Sequence, residues 1–156
     1  MSKISAAITA VGAYVPEYVL TNQILETMVD TNDEWITTRT GIKERRILKG
    51  EGKGTSFLAI KAAQDLIAKK GINPLDIELI IVATATPDMK AASTAAYTAS
   101  HIGATNAFSF DLDAACSSFL FGMSTAAKFI ESGRYKKVLL IDLDPQASLS
   151  QYMGVV

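Results

Sequence analysis

Five consecutive apolar residues, Leu79-Ile80-Ile81-Val82-Ala83, lie between the Asn73-Pro74 break and the polar Thr84–Asp88 stretch. A strand with one wet face alternates apolar and polar residues, so an unbroken run of this length is expected to be covered on both faces. Segments of helical and strand period alternate around it. Phe57 to Lys70 carries Leu58, Ala59, Ala62, Ala63, Leu66 and Ile67 on one face and ends at Gly71; Ser93 opens a helix over Thr94 to His101, closed by Gly103; Lys137 to Ile141 reads as a last strand. Ile4 to Val15, with breaks at Gly12 and Pro16, reads as the first core strand. This order implies an α/β fold with a mainly parallel, mixed sheet and helices on both faces, whose ligands gather at the carboxyl ends of strands.

Phe108 to Phe121 passes from one period to the other. Phe108, Phe110 and Leu112 alternate with Ser109, Asp111 and Asp113, and from Cys116 onward Phe119, Leu120, Met123, Ala126, Ala127 and Ile130 recur at helical spacing. Cys116, the only cysteine, therefore stands where a strand hands over to a helix. The unpaired N–H groups and the dipole of a helix N-terminus favour negative charge, so a thiolate is stabilised there, as is the oxyanion formed when it attacks an acyl carbonyl. A buried structural cysteine is the competing reading, and position alone does not separate the two.

Composition narrows the classes. With 156 residues, 49% hydrophobic and 8% aromatic, the chain can build a soluble globular core. The balance of 15 basic against 16 acidic residues gives no support to nucleic-acid binding. A single cysteine suits a reducing compartment. Met1-Ser2-Lys3 leads into a moderately apolar strand, and no run approaches a membrane span, so a cytoplasmic protein off the membrane is expected.

Ahead of the apolar strand, Thr21 can cap a short helix carrying Ile24, Leu25, Met28 and Val29, and Thr31-Asn32-Asp33-Glu34 has the spacing of a capping box with Thr31 at the N-cap. The helix that follows stops at Gly41. Trp35 and Arg39 lie four apart on one face, which suits a flat, anionic aromatic ligand or, more plainly, an indole covered by a guanidinium. Arg39, Lys43, Arg45, Arg46, Lys49 and Lys53 form either a basic rim that attracts anionic ligands or an acidic partner, or a solvated turn. Lys49 to Ser56 has the glycines of a phosphate loop in the wrong register, since Gly54 separates Lys53 from Thr55; Thr55 or Ser56 reads as a helix cap. His101, the only histidine, falls at a helix C-terminus, where a structural role explains it.

Three motifs carry a family resemblance. Asp113-Ala114-Ala115-Cys116-Ser117-Ser118-Phe119 resembles the nucleophile motif of the β-ketoacyl-[acyl carrier protein] synthase III enzymes. Asn32-Asp33-Glu34-Trp35-Ile36-Thr37-Thr38-Arg39-Thr40-Gly41-Ile42 resembles their most specific signature, and Ala83-Thr84-Ala85-Thr86-Pro87-Asp88 ends a strand as theirs does. The resemblance implies a thiolase-like fold of two similar halves, of which residues 1–141 are the first. It implies Cys116 as the acyl-accepting nucleophile, with Trp35 and Arg39 sandwiching the adenine of coenzyme A and Thr31 assisting. Acyl-coenzyme A is then a substrate, so no cofactor or metal is implied. Malonyl-acyl carrier protein is the second partner, and the complete enzyme is expected to be a homodimer. The family's catalytic histidine and asparagine belong to the second half, and neither carries over to His101. A small Ala91 in the Met89–Ser93 loop implies more room for an acyl chain. Residues 142–156, beginning Asp142-Leu143-Asp144-Pro145-Gln146-Ala147-Ser148, resemble instead a strand-end motif of ParA-type partition ATPases, as a fused or recombined tail would. The alternatives are a non-catalytic fragment or assembly module, an ATP-binding partition-like protein, and a hydroxymethylglutaryl-coenzyme A synthase, the last disfavoured by Trp35 and Arg39.

Overall fold

The computed structural model describes residues 4–143. Its elements are β1 (Tyr18–Thr21), α1 (Asn22–Glu26), α2 (Asp33–Thr40), β2 (Glu44–Ile47), α3 (Thr55–Lys70), β3 (Leu79–Ala83), α4 (Thr94–Ile102), β4 (Phe108–Leu112), α5 (Ser118–Glu131) and β5 (Val138–Asp142). They divide into two compact units, one of Val15–Lys53 and one made of the residues before it together with those from Gly54 on.

In the larger unit, β3 is the middle of a parallel sheet of order β4-β3-β5. All five of its residues are fully buried. Ile80 and Val82 face a core shared with Ala59 and Ala63 of α3, Ala95, Ala99 and Ile102 of α4, and Leu139 and Ile141 of β5. Residues one step out of phase point to the opposite face, where α5 lies. There Gly122 approaches Leu140 so closely that a Cβ would sit 2.7 Å from its Cδ1, and Phe110 meets Phe129 with ring centroids 6.3 Å apart. Helices thus cover both faces, as the unbroken apolar run of β3 requires. Because the chain goes from β3 to β4 on one side and then to β5 on the other, the strand order reverses direction at β3.

Residues 4–14 do not form the expected strand. No ladder pairs them, and Ile4, Ile8 and Val11 are exposed. The segment lies on α3 instead. Gly12 touches Leu66, where a Cβ would come within 2.6 Å of the leucine Cβ, the Ala13 N–H donates to Asp65 Oδ2 at 2.9 Å, and the Tyr14 ring packs edge-on to Phe57 at 5.8 Å. β-branched content gives a pleated segment only where a neighbouring strand offers its hydrogen bonds, and here a helix is the neighbour.

The smaller unit pairs β1 with β2 antiparallel, from Tyr18 opposite Ile47 to Thr21 opposite Glu44. The Glu44–Ile47 strand has no apolar alternation, which hid it in the sequence. Thr21 caps α1 as expected, accepting from the Ile24 N–H at 3.3 Å, but α2 is capped by Asn32, whose Oδ1 accepts from the Trp35 N–H at 2.8 Å. Thr31, read as the cap, stands one residue outside. An asparagine accepts at this position as well as a threonine does, so the Thr-x-x-Glu spacing marked the helix start but not its cap. Of the ParA-like stretch, Asp142 ends β5 and Leu143 packs against the core; residues 144–156 lie outside the described residues.

Candidate active site

The carboxyl ends of the three parallel strands are tied together. The Thr84 N–H donates to Leu112 O at 3.1 Å, and the Leu143 N–H donates to Ala83 O at 3.0 Å. Helices α3 and α4 present their N-termini to the loops at this end. Each N-terminus is filled by a carboxylate from elsewhere in the chain. Asp88 accepts from the Thr55 N–H at 2.5 Å and the Ser56 N–H at 2.9 Å, while the Thr55 hydroxyl donates to Thr86 O at 2.6 Å. Asp111, at a polar position of β4, faces α4 and accepts from the N–H groups of Thr94 at 2.7 Å and Ala95 at 2.8 Å. Burial works against ionisation of Asp88, but the hydrogen bonds from Ser56 and Thr55 outweigh it and hold its carboxyl below the usual value. The phosphate-loop comparison fails on the same ground, because the anion at the α3 N-terminus is the chain's own.

The third N-terminus, that of α5, is different. It has no side-chain cap and no acidic residue in its first turn. Cys116 stands just ahead of it, exposed, in a single turn of 3-10 helix over Ala115–Ser117, so the α-helix begins two residues later than the apolar period suggests. Ala115 has φ +47°, the only positive φ among the described non-glycine residues. An alanine in this region carries a steric penalty that the surroundings must impose. Two hydrogen bonds do so: the Ala115 N–H donates to Asp113 Oδ1 at 3.1 Å, and the Ala114 N–H donates to the Oγ of buried Ser118 at 2.8 Å. Together they bracket the thiol between the strand and the helix.

In the smaller unit, Trp35 and Arg39 share a face of α2 as their spacing requires, and Trp35 is half exposed. The Arg39 guanidinium lies 4.7 Å from the indole centroid. A sandwiched base needs a gap of roughly 7 Å, twice van der Waals contact, so the pair is closed and Arg39 must swing out to admit one. Thr31 is half-buried in the loop before the helix. Besides Arg39, three further members of the basic run have partners within this unit. Arg45 donates to Asn22 Oδ1 at 2.7 Å, Arg46 donates to Glu17 O at 3.3 Å, and the Lys49 ammonium sits over the Tyr18 ring at 3.2 Å.

His101 is no partner for Cys116. It lies seven residues along α4 from Thr94, about 10 Å at helical rise, at the helix end away from the Asp111 cap. There its Nδ1 is 2.8 Å from Tyr97 O and its ring stacks on Tyr97. Among the described residues no cluster of histidine, cysteine or carboxylate side chains could hold a metal ion, and no helix is long and apolar enough to cross a membrane. Sequence reasoning missed Asp88, Asp111, Ser118 and Asn22. Only Asp111 left a signal, as a charge on a strand whose other face is apolar.

A family model for 3-oxoacyl-[acyl-carrier-protein] synthase III matches residues 110–151, which includes the Cys116 turn and passes the boundary drawn at residue 141. The chain is 56% identical to β-ketoacyl-[acyl-carrier-protein] synthase III 2 of Bacteroides thetaiotaomicron over 97% of this chain and 45% of that protein. It is 53% identical to the β-ketoacyl-[acyl-carrier-protein] synthase III of Chlorobaculum tepidum over 94% of this chain and 45% of that one. The crystal structure of 3-oxoacyl-[acyl-carrier-protein] synthase III from Aquifex aeolicus superposes with a TM-score of 0.81 at 44% identity, covering 85% of this chain and 42% of the other. The fold is thus thiolase-like, and the chain spans a little under half the length of the relatives it matches.

Proposed function

We propose that this chain supplies the acyl-accepting half of a β-ketoacyl-[acyl carrier protein] synthase III reaction, an acyltransfer of fatty acid biosynthesis. The Cys116 thiolate attacks the thioester carbonyl of acyl-coenzyme A. The tetrahedral intermediate collapses with cleavage of the carbon–sulfur bond to coenzyme A, which leaves as a thiolate and takes up a proton, and the acyl group remains on Cys116. In the complete enzyme this acyl group then condenses with malonyl-acyl carrier protein, releasing carbon dioxide. Separating acyl transfer from condensation is what the covalent thioester provides.

One observation carries the reading. Of the three long helices whose N-termini meet the strand ends, two are closed by the chain's own carboxylates, and the open one stands behind an exposed cysteine held on a strained turn. The coenzyme A site is assigned to Trp35 and Arg39, with Thr31 beside them. The basic run from Arg39 to Lys53 would steer the acidic carrier protein. The setting is the cytoplasm, where a lone cysteine stays reduced, and the complete enzyme would be a homodimer. Asp142 and Leu143 belong with the sheet, and for the residues after them the partition-ATPase alternative requires that ATP raise the chain's unfolding temperature. The test of the main reading is intact mass after incubation with acetyl-coenzyme A. Addition of one acetyl group, released by hydroxylamine and absent in Cys116→Ala, is expected; no adduct on Cys116 overturns it.

A further inference from the structure

Asn22 is the most completely buried polar side chain of the smaller unit and makes no contact with solvent. It is the first residue of α1, yet its hydrogen bonds go to other elements of the unit. Nδ2 donates to Asp33 Oδ1 at 2.6 Å and to Ile42 O at 2.8 Å, with Thr37 Oγ1 more distant at 3.3 Å. Its two amide hydrogens are consumed by the two short bonds. Oδ1 accepts from Arg45 Nη1 at 2.7 Å, and the backbone N–H donates to Lys43 O at 3.1 Å. Asp33 and Thr37 lie on one face of α2, a turn apart, and Ile42 follows its last residue by two. One side chain therefore grips α2 at its first turn and at its exit, and clamps it to β2 through Arg45.

Ile36 is the one buried apolar side chain of α2, so little hydrophobic contact fixes the rotation of this helix about its axis. Trp35 and Arg39 depend on that rotation.

We infer that Asn22, braced by Arg45, is the positioning residue that sets the face of α2 on which Trp35 and Arg39 receive the coenzyme A nucleotide. The inference rests on the coenzyme A reading, but its geometry does not. Asn22 is buried and cannot touch the ligand, so its effect must pass through the helix. Asn22→Asp keeps the size and shape while turning a donor into a second carboxylate facing Asp33. Arg45→Ala removes the brace, whereas Arg45→Lys keeps a donor for a site that uses only one N–H of the guanidinium.

The experiment measures three quantities on each variant of the 156-residue chain: coenzyme A affinity from Trp35 emission, acrylamide quenching of Trp35 without ligand, and the iodoacetamide alkylation rate of Cys116, which belongs to the other unit. Asn22→Asp and Arg45→Ala should weaken coenzyme A binding tenfold or more and change the quenching constant, with alkylation within twofold of the parent chain. Arg45→Lys should recover most of the loss. If the parent chain fails to bind coenzyme A but Asn22→Asp still alters quenching and leaves alkylation alone, the positioning role stands and the ligand assignment falls. Unchanged quenching and affinity in Asn22→Asp overturn the inference, as does an equal loss of Cys116 reactivity, which would mean general unfolding.

Discussion

Ala115 shows how much the nucleophile turn is imposed on its residues. A non-glycine residue in the left-handed region costs about 1–2 kcal/mol, which a glycine avoids while losing about 0.5–1 kcal/mol to its freer unfolded chain. Ala115→Gly should therefore leave stability unchanged or raise it by up to about 1.5 kcal/mol, read from urea unfolding. A clear loss would mean that φ +47° is not strained at this site. Arg39 poses a different question, because its guanidinium occupies the face of the indole that a base would take. If coenzyme A inserts between them, Arg39→Ala opens the face but removes one wall and a cation. We expect about a tenfold weaker affinity by Trp35 fluorescence, about 1.4 kcal/mol. Unchanged affinity would place the nucleotide elsewhere.

Helix α4 is capped by its own Ser93, whose Oγ accepts from the Ala96 N–H at 3.0 Å, with Asp111 added to it, whereas α3 has no cap of its own. Gly54, at the N-cap of α3, has no side chain to give, and a Cβ there would run into the Asp88 carboxylate. Asp88 caps from 32 residues away, and its pKa is lowered by doing so. A carboxylate whose folded pKa lies below its unfolded one stabilises the fold above the unfolded value, and that stability is lost as pH falls through the folded value. Stability should consequently decline between about pH 4 and the lower folded value, with a slope that Asp88→Asn reduces. Asp65 and Glu78 shift in the same direction, Asp65 through its hydrogen bond from Lys69 and Glu78 through the backbone N–H of Lys136, so the variant should flatten the curve only in part. Near pH 7, Asp88→Ala should cost about 1 kcal/mol, the usual worth of an N-cap. An unaltered acid limb in Asp88→Asn would show that the cap is not formed in solution.

The two units are stabilised by different means. The larger has an apolar sheet core covered on both faces, whereas the smaller rests on the buried amide of Asn22 and a single buried isoleucine, Ile36. Regions with few buried apolar contacts open at lower free energy than the global transition. Amide exchange should hence be slowest in β3 and distinctly faster in β1, β2 and α2; uniform protection would contradict the division. The chain as a whole should be acylated without completing a condensation. Decarboxylation of the malonyl group develops an enolate that needs positioned donors, and the sole histidine lies at the other end of α4 from the Asp111 cap. Labelled acetyl-coenzyme A with malonyl-acyl carrier protein, and Cys116→Ala as the blank, measures this. Cysteine-dependent product at about 1 per second or faster, an ordinary enzymatic rate, would show that these residues contain the missing donors.

Local chemistry by itself determined the parts of this protein that depend on near neighbours. The unbroken apolar run identified β3, helical spacing and the glycines at 41, 71 and 103 bounded the helices, and the strand-to-helix change of period located Cys116. These signals are legible because period, capping and φ preference act over a few residues. Tertiary structure decided what depended on residues far apart in the chain. Residues 4–14 have the composition of a strand but lie against α3, since a ladder needs a partner that composition does not name. The cap of α3 comes from Asp88, the carboxylate that joins Ser93 at the start of α4 comes from Asp111, and the grip on α2 comes from Asn22. Each is a hydrogen bond across 11 or more residues. A hydrogen bond needs its partners within about 3 Å, and which distant atoms come that close is settled only when the whole chain has packed.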